Sequence, residues 1–134
     1  MSKINHILLK NPVVVSTGEK LRNVAKLMNN NKVSSVLVRK NRMLAGIVSV
    51  EDIMYHVAKK ADMDIDVDKV MHFPKLTIDA EKWLLDAIII FDCHKASHIT
   101  VVENGENVAI IRADDILHTY RFNRESSDRG LERQ

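Results

Sequence analysis

The feature that most constrains this chain is that it repeats itself. At an offset of 63 residues the stretch from Ile4 to Met54 aligns with the second half of the chain without a gap. Identical pairs include Leu21/Leu84, Lys32/Lys95, Ser34/Ser97, Val38/Val101, Asn41/Asn104, Ile47/Ile110, Asp52/Asp115 and Ile53/Ile116. Apolar positions match in kind, as in Ile7/Val70, Val13/Leu76 and Met28/Phe91. A period of this length means that one supersecondary unit is made twice. A unit of about 60 residues buries only about 60% of its extended-chain surface, so the two copies are expected to pack sheet against sheet as one module.

Each copy reads in the same order. A short strand (Val13–Val15, Leu76–Ile78) precedes a helix (Gly18–Asn30, Glu81–Cys93). In the first of these helices Leu21, Val24, Ala25 and Met28 recur at helical spacing. A hairpin follows, Ser34–Arg39 with Met43–Val48 and Ser97–Val102 with Asn107–Ile111. The second hairpin turns through Asn104-Gly105, a strong hairpin signal. A second helix closes each copy, near Glu51–Lys60 and Asp114–Phe122. The fold class is therefore α+β, a tandem of β-α-β-β-α units related by a pseudo-two-fold. Residues 1–61 form the first repeat, the polar 62–68 a linker, 69–122 the second repeat and 123–134 a polar tail.

Composition narrows the class. With 46% hydrophobic and 28% charged residues the chain is globular rather than disordered. A net charge of +2, with signs interspersed and 4% aromatics, argues against a nucleic-acid surface built on Lys10, Lys32, Arg39, Lys40 and Arg42. The start MSKINHILLK has no secretory core, and no apolar run approaches the ~20 residues of a transmembrane helix, so a cytoplasmic location without membrane association is expected. The single Cys93 forms no internal disulfide, and Cys93, His94 and His98 do not match zinc spacings. No dinucleotide or P-loop fingerprint is present, and no serine or cysteine has an evident base beside it, so no catalytic residues are assigned.

The chemistry concentrates at two equivalent turns, "GIVSVEDI" (Gly46–Ile53) and "AIIRADDI" (Ala109–Ile116). A strand running straight into a helix gathers free backbone N–H groups and the positive end of the helix dipole, which suits an anion. A carboxylate on the first helical turn can accept both hydroxyls of a ribose. Ser49 and Asp52 equally fit a near capping box, serine as N-cap with a carboxylate three residues on. In the second copy Arg112 cannot accept as an N-cap, yet Asp115 remains.

The duplicated unit, entered through "HILLKNPVVVS" and "KVMHFPKLTID" and closed by the two turns, resembles a cystathionine-β-synthase (CBS) domain pair, or Bateman module, from about Ile4 to Phe122. The resemblance implies a regulatory binding module rather than an enzyme. Such modules sense AMP, ADP, ATP or S-adenosylmethionine in clefts between the repeats, need no obligatory cofactor or metal, and signal to a regulated protein partner. No enzyme or channel segment accompanies the repeats, so the chain looks like a stand-alone member. The family signature Gly-x-x-Ser/Thr-x-x-Asp falls on Gly46, Ser49 and Asp52, and favours Asp52 as the ribose ligand. Arg112 departs from it. Either Arg112 fills the second cleft by pairing with Asp115 or Asp114, or it binds phosphate through its planar fork. The remaining pocket walls are expected from Asn11, Pro12, Val13, Val33, Ser34, Ser35 and Val36 in the first copy, and from Pro74, Lys75, Leu76, Ala96, Ser97, His98 and Ile99 in the second.

The stretch Trp83–Phe91 is apolar nearly all round, more than a helix covering one sheet face needs. Its outer stripe, with Trp83, Ile89 and Ile90, is read as a homodimer contact. The alternative function is a protein-interaction scaffold whose nucleotide sites have degenerated, favoured by Ala109 and Arg112 in place of the signature residues.

Overall fold

Two-residue turns close both hairpins. Asn41 and Arg42 hold φ of 51° and 70°, and Asn104 and Gly105 hold 54° and 79°, the left-handed backbone that fits the twist of the flanking strands. The structure, a computed structural model, describes residues 2–6, 12–59 and 62–116. It divides into two compact units, Asn11–Lys75 and Met1–Lys10 with Leu76–Gln134.

In the Asn11–Lys75 unit, β1 (Val14–Ser16) is followed by α1 (Leu21–Asn31), β2 (Ser35–Lys40), β3 (Met43–Ser49) and α2 (Val50–Lys59). The sheet order is β1-β2-β3, with β1 parallel and β3 antiparallel to β2. Val24 and Met28 of α1 bury themselves among Val15, Val36, Val38 and Val48. α1 begins at Leu21 and not at Gly18, because Gly18 sits at φ 85° and Lys20 is still extended at ψ 139°. It ends at Lys32, left-handed at φ 55°, where Val33 N–H donates to the Met28 carbonyl at 3.1 Å.

The other unit repeats this plan with β4 (Thr77–Asp79), α3 (Leu84–His94), β5 (His98–Glu103) and β6 (Glu106–Arg112), in sheet order β4-β5-β6. Ile78, Leu84, Ala87, Phe91, Ile99, Val101 and Ile111 form its core. The helix starts at Leu84 rather than Glu81, since Trp83 is extended at ψ 155°. Residues 113–116 are helical. The expected continuation to Phe122 and the tail 123–134 lie outside the described residues.

The segment expected to be a linker is part of the first unit's fold. Met63, Ile65 and Val67 alternate with Asp64, Asp66 and Asp68, a period of two that marks a half-buried extended chain. Leu21 and Arg22 N–H donate to the carbonyls of Ile65 and Met63 at 2.9 Å each, and Val67 N–H donates to Glu19 at 2.7 Å. Asp64, Asp66 and Asp68 reach Arg22 Nε (3.2 Å), Lys20 Nζ (2.9 Å) and Gly18 N–H (2.8 Å). The hydrogen bond from Lys20 to Asp66, with their charge attraction, holds the Lys20 ammonium above its ordinary pKa. Val67, at the start of a 3-10 turn (Val67–Lys69), is fully buried in the core. The equivalent strap in the other unit is the start of the chain: Leu84 N–H donates to Ser2 and Ile4 N–H to Lys82, both at 2.8 Å, and Ile4 is fully buried. Each sheet is thus strapped by the residues that precede the other repeat.

Candidate functional site

At one end of the first sheet, three segments meet. The start of β2 lies beside the end of β3, with Ser35 opposite Ser49. Val50 N–H donates to the Ser34 carbonyl at 2.9 Å, and Leu37 N–H donates to Val13 at 3.0 Å. The backbone therefore brings Val13, Val33–Val36, Ser49 and Asp52 together. Val36 is fully buried and belongs to the core, while Pro12, Val13, Val33, Ser34 and Ser35 stay half-buried. Asn11 lies outside the described residues.

The capping reading of the turn is realised in the structure. Ser49 Oγ accepts from Asp52 N–H at 3.2 Å, and Asp52 Oδ2 accepts from Ser49 N–H at 2.8 Å. Ser49 Oγ also donates to Asp52 Oδ2 at 2.9 Å, and Ser49 is buried. Two orphan donors of the helix start are thereby satisfied reciprocally.

A residue the sequence reading did not single out completes this arrangement. His72 Nδ1 lies 2.8 Å from Asp52 Oδ2. His72 is carried there by a bridge onto the free edge of β3: Ile47 N–H donates to the His72 carbonyl at 2.7 Å, and His72 N–H donates back at 2.9 Å. Gly46 allows this close approach. A Cβ at Gly46 would stand 2.9 Å from Met71 Cγ and Sδ and 3.0 Å from the His72 carbonyl oxygen. The glycine of the signature therefore serves packing here. Beside the site a groove of about 780 Å³ runs along one face of α2, from Asp52 past Tyr55, His56 and Lys59, opposite Ile65 and Lys69.

The second unit keeps the same backbone frame. His98 pairs with Arg112, Thr100 N–H donates to Leu76 at 3.1 Å, and Ala113 N–H donates to Ser97 at 2.9 Å. Its side chains differ. Arg112 Nη2 lies 3.7 Å from Asp114 Oδ2. Asp115 is exposed. Ser97 Oγ and His98 Nδ1 are 2.9 Å apart, Ala96 is half-buried, and Ile99 is core. Pro74 and Lys75 fall in the Asn11–Lys75 unit, and Leu76 in the other. Among the described residues, no group of three or more His, Cys, Asp or Glu side chains could hold a metal ion, and no helix is long and apolar enough to cross a membrane.

Residues 4–59 match the family model of the CBS domain. Over this stretch the chain is similar to a CBS domain. Solved CBS structures share the fold of both units. A CBS domain protein from Pyrobaculum aerophilum, complexed with AMP, is 24% identical with a TM-score of 0.75, over 85% of this chain and 89% of that one. The CBS domain pair of the protein MJ0100, in complex with 5′-methylthioadenosine and S-adenosyl-L-methionine, is 18% identical with a TM-score of 0.80, over 92% of this chain and 98% of that one. Two uncharacterised proteins of Methanocaldococcus jannaschii are each 28% identical over 116 residues, which is 86% and 83% of this chain. The chain spans 38% of the length of one and 62% of the other.

Proposed function

We propose that this CBS-domain chain is a regulatory module that binds an adenosine-containing ligand and reports its presence to a protein partner. The observation that carries the reading is the end of the first sheet. There a helix N-terminus, a carboxylate on its first turn and the half-buried Val13, Val33 and Ser35 converge. Solved CBS proteins complexed with AMP or with S-adenosyl-L-methionine support an adenosine ligand. AMP, ADP, ATP and S-adenosylmethionine are the candidates, with Asp52 accepting from the ribose. A thermal-shift screen against these four tests it. Ligand at 100 times its dissociation constant adds about 2.7 kcal/mol of stability, which moves the melting temperature by several degrees. No shift with any of them at millimolar concentration contradicts the proposal.

The second unit favours a different role. Arg112 is paired with Asp114, and Ala109 replaces the signature glycine. On α3, Leu85 and Ile89, with Trp83 just ahead of the helix, leave 44%, 50% and 45% of their surface exposed, whereas Ile90 packs against the core. This apolar stripe is a contact for a second copy of the chain, so that the second unit supplies the interface and the first the ligand site.

A further inference from the structure

Among the described residues, the hydrogen bonds that the Asp52 carboxylate accepts all fall on one oxygen. Oδ2 accepts from Ser49 N–H at 2.8 Å, from Ser49 Oγ at 2.9 Å and from His72 Nδ1 at 2.8 Å. A carboxylate offers about four lone-pair sites over its two oxygens, so three donors on Oδ2 exceed its share and leave acceptor capacity on Oδ1. Two of the three donors come from Ser49 at the helix start and belong to the capping arrangement itself. The third does not follow from capping. It belongs to a segment 20 residues further on, fixed by two backbone hydrogen bonds to Ile47 and admitted by Gly46.

The geometry points to His72 as a positioning residue of the first site, one that fixes the Asp52 carboxylate so that Oδ1 is presented to the vicinal diol of a ribose. This rests on the reading of Asp52 as the ribose ligand. A side chain whose rotamer is locked by outer hydrogen bonds binds without the cost of being ordered. Asp52 retains 22% and His72 36% of their side-chain surface, so the pair stands at the edge of the site, open to solvent on one side. The residue equivalent to His72 in the other repeat is Leu9, which has no donor. The device gives the first site selectivity for ribose over deoxyribose.

The test is calorimetric titration of the full chain with AMP and with 2′-deoxy-AMP, for the wild type, His72→Leu and His72→Asn. Asparagine keeps an N–H near the place of Nδ1; leucine is the residue of the other repeat. The wild type is expected to prefer AMP by about tenfold, the scale of one hydrogen bond to a charged group. His72→Leu should weaken AMP by about tenfold while leaving 2′-deoxy-AMP within about twofold, and His72→Asn should restore most of the preference. Equal weakening of both nucleotides by His72→Leu and His72→Asn would make His72 merely structural and overturn the proposal. Unchanged AMP affinity in His72→Leu, with loss in Asp52→Asn, would overturn it and leave the ribose reading standing. A wild type that binds neither nucleotide at millimolar concentration overturns the ribose reading itself, and the role of His72 with it.

Discussion

Arg42 holds a left-handed backbone at φ 70° where the other repeat places Gly105 at 79°. An L side chain pays about 1–2 kcal/mol in that region, and glycine loses part of this advantage to its greater unfolded-state entropy. Arg42→Gly is therefore expected to stabilise the chain by about 0.5–1 kcal/mol in urea denaturation, and Gly105→Arg to destabilise it by a similar amount. Gly46→Ala works in the opposite sense. Its methyl would meet Met71 at 2.9 Å and the His72 carbonyl at 3.0 Å, and overpacking of this kind costs about 1–3 kcal/mol. Met71→Ala in the same chain should recover part of that loss, because it removes the two nearest atoms; no recovery would place the strain in the backbone instead. At this scale the sequence was readable where two copies could be compared. Asp52 and Ser49 stood out because Asp115 kept the carboxylate while Arg112 lost the cap. His72 did not, since its counterpart is Leu9 and its partner lies 20 residues away, reached only through a bridge between β3 and a segment without a strand pattern.

The hairpins and the two long helices follow from periodicity and turn residues, and the structure has them within one to three residues of the expected ends. The helix starts were placed too early at Gly18 and Glu81, because apolar spacing does not register a backbone that stays extended through Lys20 and Trp83. The stretch 62–68 reads by its polarity as a linker, but the alternation of Met63, Ile65 and Val67 with three aspartates is the stronger signal. This strap supplies a further prediction. Val67 is fully buried in the first core, so Val67→Ala should cost about 1.5–3 kcal/mol. Asp64 pairs with Arg22 on the surface, its side chain 73% exposed, so Asp64→Ala should cost no more than about 1 kcal/mol. Equal costs in a denaturation series would mean that the strap is held by its charges and not by its buried valine.

For the whole chain, the proposed function gives the two halves unequal work. The first keeps a capped carboxylate braced by a histidine; the second pairs its arginine with Asp114 and leaves an apolar helix face open. Velocity sedimentation at micromolar concentration is expected to find a dimer, and Ile89→Lys to sediment as a monomer with its fold intact; a monomeric wild type would rule out the α3 face as a self-contact. The central claim is that the first site binds an adenosine ligand through Asp52. Its most direct test is isothermal titration of AMP into the wild type, Asp52→Asn and Asp115→Asn. The account predicts saturable binding that falls at least about tenfold in Asp52→Asn and stays within about twofold in Asp115→Asn. Binding that survives Asp52→Asn unchanged, or that is lost only in Asp115→Asn, would contradict it.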